Sequence, residues 1–351
     1  MNFRKAAIRA GLEALFFSGA YRAFRPLSAG VGAIFTLHHV RPARVGAFQP
    51  NRGLEIEPQF LELFIELLRK KNVEIVSLDE VHRRLANHDY PGPFAAFTLD
   101  DGYRDNLEHA WPVLKRHDAP ASLFIASSFP DKLGELWWVS LQRVIAGSER
   151  LVIEVNGKSR FVDCSNASAK CKAFNEIYWW LRSFADESEL RRVVNDLCQR
   201  YGVDPLGASK DLCMDWKEIA SIAADPLISI GAHSVNHYML KKWPASTLEN
   251  ELKQSAKVIE AALGKKPLDF AYPVGDPTSA GPREFAAAKA AGYRLAVTTR
   301  RGVIYPEHRE HMHALPRVSL NGEFQALRYA EVLRSGLPFA LQSGFKRVNA
   351  A

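Results

Sequence analysis

The sequence predicts an α/β fold in which parallel strands form a layer or a barrel. Two observations carry this. Short, nearly continuous apolar runs alternate with helical patterns along much of the chain. Polar residues then cluster where several of the apolar runs stop, as expected for the rim of an active site. Residues 31–38, Val-Gly-Ala-Ile-Phe-Thr-Leu-His, open the series as a buried strand entering a loop.

A helix is expected over 58–71, with Pro58 in its first turn and Phe60, Leu61, Phe64, Leu67 and Leu68 on one face. A short strand at 73–76 and a helix at 78–85 follow. Phe94 to Leu99 is the next strand, and it runs into Asp100-Asp101-Gly102. The stretch 106–117 reads as helical, with Pro112 as a kink or restart. A strand at 121–126 completes this first part. From about 130 to 215 the rhythm changes to three helical patterns, the first two rich in aromatic residues, including Trp137, Trp138, Trp179 and Trp180. These rings serve either as packing or as the lining of a sugar or lipid groove. Alternation then resumes with a helix at 216–223, a strand at 227–231 and a helix at 247–263 stopped by Gly264. Strands at 268–272, 295–299 and 315–320 are separated by a helix at 281–291, and 324–333 forms a covering helix. The expected divisions are a helical segment 1–30, barrel parts 31–129 and 216–323, a helical insertion 130–215, and a covering helix and tail 324–351.

With 351 residues, 47% hydrophobic and 24% charged, the chain can bury a substantial core. The net charge of +7 suits an anionic surface or substrate, or simply solubility. No recognition motif accompanies the charge, so nucleic acid is not an expected partner. Cys164, Cys171, Cys198 and Cys213 form no Cys-x-x-Cys pair and read as scattered thiols, compatible with a reducing compartment. Near the N-terminus, Arg4, Lys5 and Arg9 lie among Ile8, Leu12, Leu15 and Phe16. That pattern suits an amphipathic basic helix, which either packs on the domain or lies on an anionic membrane, with a cleaved signal as the third reading. No run of about twenty apolar residues occurs. The expected location is cytoplasmic or peripheral at the inner membrane face, with export left open, and the oligomeric state is open too.

The chemistry concentrates in two places. Asp100 and Asp101 are neighbours at a strand end, so their side chains diverge, and one carboxylate can bind metal while the other faces water. Gly102 permits a sharp turn beyond them. His233 and His237 are four residues apart just past another strand, close enough to share an ion. Two imidazoles, one carboxylate and a spare carboxylate are the parts of metal-assisted hydrolysis.

On these residues the chain resembles the polysaccharide deacetylase family, also called the NodB homology domain or carbohydrate esterase family 4. Thr98-Leu99-Asp100-Asp101-Gly102 parallels that family's Thr-Phe-Asp-Asp-Gly, and His233-Ser-Val-Asn-His237 parallels its His-Ser/Thr-x-x-His. Pro273-Val274-Gly275 is similar to its Pro-Tyr-Gly turn. The resemblance spans about residues 31–320 and implies a distorted (β/α)7 barrel. It implies Asp101, His233 and His237 as ligands of a divalent metal, usually Zn2+, and Asp100 as general base. The backbone near Tyr103, with Pro273 and Gly275, would serve the substrate and oxyanion. His38, in Leu37-His38, stands where a poly-N-acetylglucosamine deacetylase-like subgroup has Tyr-His, and is the preferred general acid. His39, His311 and His313 are the alternatives. The family's base-orienting arginine is replaced by Ala271, and Arg317 could supply that charge from a neighbouring strand. The implied activity is removal of acetyl from an N-acetylated sugar of a polysaccharide, oligosaccharide or lipid-linked glycan. Hydrolysis of another C–N amide bond, or a non-catalytic glycan-binding or scaffold role, are the alternatives.

Overall fold

The computed structural model describes residues 3–155 and 157–350; positions 1–2 and 351, at the ends of the first and last expected segments, lie outside it, as does 156. Seven parallel strands close on themselves: β1 Gly32–Leu37, β2 Phe94–Leu99, β3 Ala121–Ile125, β4 Ile228–Ala232, β5 Asp269–Ala271, β6 Leu295–Arg301 and β7 Leu315–Ser319. Neighbours pair in chain order, and β1 pairs both β2 and β7, which shuts the barrel. The short strand Glu74–Ile75 adds to the start of β2, on the edge that β3 takes further along. The expected (β/α)7 barrel is therefore present. Every residue of β1, β2 and β3 is buried, because both faces are covered.

Side chains alternate between barrel interior and helix layer. In β2, Phe94 and Ala96 belong to the interior cluster with Ile34, Phe124, Leu295, Val297 and Leu315. Phe97 and Leu99 belong to the larger outer core with Phe35, Leu61, Phe64 and Leu68. Small residues face the interior rings: a Cβ on Gly32 would sit 2.5 Å from the Phe94 ring, and one on Gly231 2.4 Å from Phe124. Continuing each inward row past the strand end brings Thr98 to Asp100, and Thr36 to His38, in the aligned register Thr36 with Thr98. The alternation thus chooses the residues at the barrel mouth.

The helices form for ordinary reasons. Pro58–Lys70 starts on proline and buries Phe60, Leu61, Phe64, Ile65 and Leu68. Trp216–Ala223 begins with a reciprocal Asp215–Glu218 cap. Ala245–Leu263 ends on Gly264, whose φ of 71° is left-handed. The 106–117 stretch restarts: Asn106–Ala110 is a π turn, and Trp111–Arg116 is an α-helix with Pro112 in its first turn.

Between β3 and β4 lie helices Trp137–Ala146, Ala167–Arg182, Glu187–Arg200 and Gly207–Leu212. They build a core of their own, which also takes in Tyr103 and Met239 from the barrel loops. An antiparallel hairpin, Arg150–Val155 with Lys158–Asp163, interrupts the expected all-helical pattern. Alternating Leu151, Ile153 and Val155 followed by Gly157 is the sequence signal that marks it.

The N-terminal helix Phe3–Phe17 packs on Leu327–Arg334. Leu12 is buried, and Glu13 pairs with Arg328. The tail beyond Pro338, which shows little pattern in the sequence, contains the helix Leu337–Ser343. No described helix is long and apolar enough to cross a membrane. All four cysteines are free, and Cys171 alone among them is exposed.

Candidate metal centre

The C-terminal mouth of the barrel gathers Asp101 after β2 and His233 and His237 after β4. One ligand atom from each lies within 4.8 Å of the others, and all three residues are buried. Asp101 Oδ1 stands 3.4 Å from His233 Nε2 and 3.2 Å from His237 Nε2. His233 Nδ1 is 2.7 Å from the Ala271 carbonyl, which makes Nδ1 the N–H donor and leaves the Nε2 lone pair facing Asp101. Asp101 Oδ1 is buried without a hydrogen bond. A buried carboxylate oxygen with no donor, facing two imidazole nitrogens, fits a divalent cation. Burial pushes the Asp101 pKa up, but His237 and then His233 outweigh it and hold the carboxyl well below the usual range. Burial lowers the His237 pKa, against the pull of Asp101.

The loops that carry these groups are held in unusual backbone shapes. Asp101, Ser234, His237 and Val274 all have positive φ, at 73°, 61°, 55° and 61°. The 234–237 turn is clamped from two sides. Glu251 accepts the N–H groups of Val235 and Asn236, at 2.9 and 2.8 Å. Arg191 of the insertion donates to the carbonyls of Asn236 and His237, at 3.2 and 3.3 Å. Neither Glu251 nor Arg191 carries any spacing signal toward the histidines, so sequence reasoning missed both.

Asp100 faces into the barrel beside the cluster. Arg317 from β7 grips it with two bonds, Nη1 to Oδ1 at 2.8 Å and Nη2 to Oδ2 at 2.7 Å. Arg317 also donates to Thr98 Oγ1 and the Thr298 carbonyl, at 3.0 and 2.8 Å. Burial raises the Asp100 pKa, yet the Arg317 charge dominates and keeps the carboxyl ionised below its ordinary value. His38 lines the same space, with Nε2 3.9 Å from Asp100 Oδ2. Burial lowers the His38 pKa, and Asp101 and Asp100 oppose that.

The other expected residues are placed differently. His39 is turned away: its Nδ1 meets Asp105 Oδ2 at 2.6 Å and its ring stacks on Tyr103. His311 is exposed and His313 bonds the Tyr293 carbonyl at 2.8 Å. Both precede β7, at the end of the barrel opposite the metal ligands. Tyr103 is fully buried beneath Asp101, and burial pushes its hydroxyl pKa well up. Pro273 and Gly275 shape a tight turn, with the Gly275 N–H 2.6 Å from the Pro273 carbonyl, while Val274 lines the cavity.

That cavity measures about 710 Å³. Asp101, His237 and Arg317 are in its floor; Trp137, Trp138 and Tyr178 of the insertion form one wall; Phe339, Gln342 and Ser343 form another. Trp137 stacks on Tyr178 at 5.1 Å, and Trp138 lies 4.9 Å from His237. Trp179 is half exposed and Trp180 packs on Phe184. The aromatic residues thus divide between packing and lining.

Residues 176–296, which include both histidines, match the family described as polysaccharide deacetylase. No curated protein matches the sequence. Among solved structures, the fold is similar to the Streptococcus pyogenes deacetylase PplD in complex with acetate. That likeness has 17% identity and a TM-score of 0.55, and covers 83% of this chain and 92% of that one. IcaB from Ammonifex degensii gives 17% identity and a TM-score of 0.51 over 86% and 97% of the two chains. A de-N-acetylase from Aggregatibacter actinomycetemcomitans gives 14% and 0.52 over 86% and 99%. The family match thus covers about a third of the chain, and the solved structures share its barrel fold.

Proposed function

We propose that this protein is a metal-dependent hydrolase that removes acetyl from an N-acetylated sugar. The observation that carries the reading is the arginine-held Asp100 beside the Asp101–His233–His237 cluster, at a cavity lined by His38, Asp101, His237 and Arg317. Asp101, His233 and His237 would hold the cation, with Zn2+ suited to the nitrogen-rich set. When bound, it supplies Lewis acidity toward an acyl oxygen and lowers the pKa of water. Asp100 takes the proton from the attacking water, and Arg317 keeps that carboxylate ionised and aimed. As the C–N bond breaks, His38 gives a proton to the departing amine. The backbone N–H near Tyr103 donates to the acyl oxygen as negative charge develops there. The products are acetate and a free amine.

The cavity is bounded on two sides and lies within the range of about 300–1,000 Å³ usual for small-molecule sites. It favours a short or lipid-linked glycan over a long polymer, with Trp137, Trp138 and Tyr178 offering sugar-stacking faces. The test is acetate release from N-acetylated oligosaccharides and lipid-linked glycans, with and without chelator, for wild type and Asp100→Asn. Release that both chelation and the substitution abolish supports the proposal. Metal binding without release from any glycan points to another amide, and absence of both points to a scaffold.

A further inference from the structure

A second cavity, of about 480 Å³, opens at the opposite end of the barrel, where β1 and β2 begin. Arg22, Arg25 and Arg334 line it, together with the backbone around Gly30 and Pro93. Arg22 donates to the Tyr21 hydroxyl at 2.8 Å. Arg25 and Arg334 form no ion pair or side-chain hydrogen bond among the described residues. Glu331 acts electrostatically on Arg334, and it is already engaged by Lys71, at 3.5 Å, and by the Tyr21 hydroxyl. Burial and the neighbouring Arg25 lower the Arg334 pKa, which marks a cation short of a counter-charge. Three guanidinium groups converging on one concavity suit a phosphate.

The surface beside this cavity is apolar where a soluble face would be polar. Phe17, Phe24 and Leu27 are exposed at 77%, 45% and 60%. Phe17 ends the N-terminal helix, Phe24 joins the short helical segments that carry Arg22 and Arg25, and Leu27 lies on the second of them. The helix Leu337–Ser343 packs on the Arg25–Ser28 segment and adds exposed Leu341, with Phe345 just beyond it. Apolar side chains around a basic concavity complement an anionic bilayer: the rings and leucines enter the interface while the arginines meet phosphate.

We propose that Arg22, Arg25 and Arg334 form a phosphate-headgroup site within a membrane-docking face made by Phe17, Phe24, Leu27, Leu341 and Phe345. This differs from docking by the basic face of the N-terminal helix, whose Lys5 is paired with Glu323. It stands independently of the deacetylase reading. The helix that bears Leu341 also lends Phe339, Gln342 and Ser343 to the catalytic cavity, so the docking face is one helix away from the chemistry.

The experiment is sedimentation of the full chain with phosphatidylcholine vesicles, with and without phosphatidylglycerol. Wild type is compared with Arg22→Glu/Arg25→Glu and with Phe24→Ser/Leu27→Ser; circular dichroism verifies that each is folded. The wild type should prefer anionic vesicles and lose that preference at high salt. Charge reversal should weaken binding by about 30-fold or more, since each basic residue near such a surface contributes about fivefold. The apolar pair should weaken it as well. Equal or absent binding to both vesicles overturns the proposal, as does an unaffected charge-reversed variant. Thermal stabilisation by inorganic phosphate without vesicle binding would assign the arginines to a free anion, and dimerisation lost in Phe24→Ser/Leu27→Ser would assign the apolar face to a second copy. Either result overturns the membrane assignment.

Discussion

Arg317 and Asp100, 217 residues apart in the chain, meet inside the barrel through two parallel bonds of 2.8 and 2.7 Å. The guanidinium comes from β7 and enters the mouth that the other strands leave open. On the proposed function, Arg317 orients the base in place of the arginine that the resemblance puts where Ala271 stands; Ala271 itself offers a carbonyl to His233.

Removing one partner of a buried pair leaves the other charge unmatched. Arg317→Met should lower unfolding free energy by about 3–5 kcal/mol in urea titrations. Arg317→Lys should retain more stability but lose the two-pronged grip, so activity should fall more than stability does. A change below about 1 kcal/mol in Arg317→Met would mean that the pair is not formed in solution.

The cluster predicts its own stabilisation by metal. At a concentration about 100 times Kd, Zn2+ should add about 2.7 kcal/mol to the wild type. His237→Ala should lose this increment, measured by thermal unfolding with and without Zn2+. An undiminished increment would place the ion elsewhere.

The aromatic wall should act on binding more than on chemistry. Tyr178→Ala should raise KM for an N-acetylated glycan by about tenfold, with a smaller change in kcat. A fall confined to kcat would argue against stacking. Tyr178 suits this test better than Trp138, which also touches His237.

His308 supplies a pH signature away from the metal. Burial lowers its pKa from 6.5 to about 4, and its Nδ1 accepts the Tyr305 N–H at 3.0 Å. The unfolded chain therefore takes up a proton before the folded one does. The contribution is complete above pH 6.5 and is lost as pH falls toward about 4, at roughly 1.4 kcal/mol per pH unit. His308→Gln keeps an acceptor but cannot titrate, so its stability should decline less over that window. Equal slopes for the two proteins would refute the assignment.

Much of this was legible in the chain. Apolar runs ending in Asp100-Asp101 and preceding His233 marked two strand ends, and closure of the barrel brings those ends together. Asp101, His233 and His237 were visible because strand-end motifs are local patterns. The pairing of Arg317 with Asp100 depends on which strands become neighbours, and the clamps by Arg191 and Glu251 depend on helix docking. No spacing rule spans such separations. The hairpin at 150–163 was obscured by its charged residues, since the exposed face of an isolated ribbon holds arginine, lysine and aspartate as readily as a loop does.

Arg191 joins the insertion to the carbonyl groups of the turn that carries His237. Exchanging the insertion for one from a relative would therefore alter more than the shape of the entrance. On the proposed function, the graft would also need to restore the grip on that turn, or a cation bound there would be released more readily even with every ligand unchanged. Selectivity and metal retention would then be inherited as one unit, and directed evolution of the insertion should select for both together.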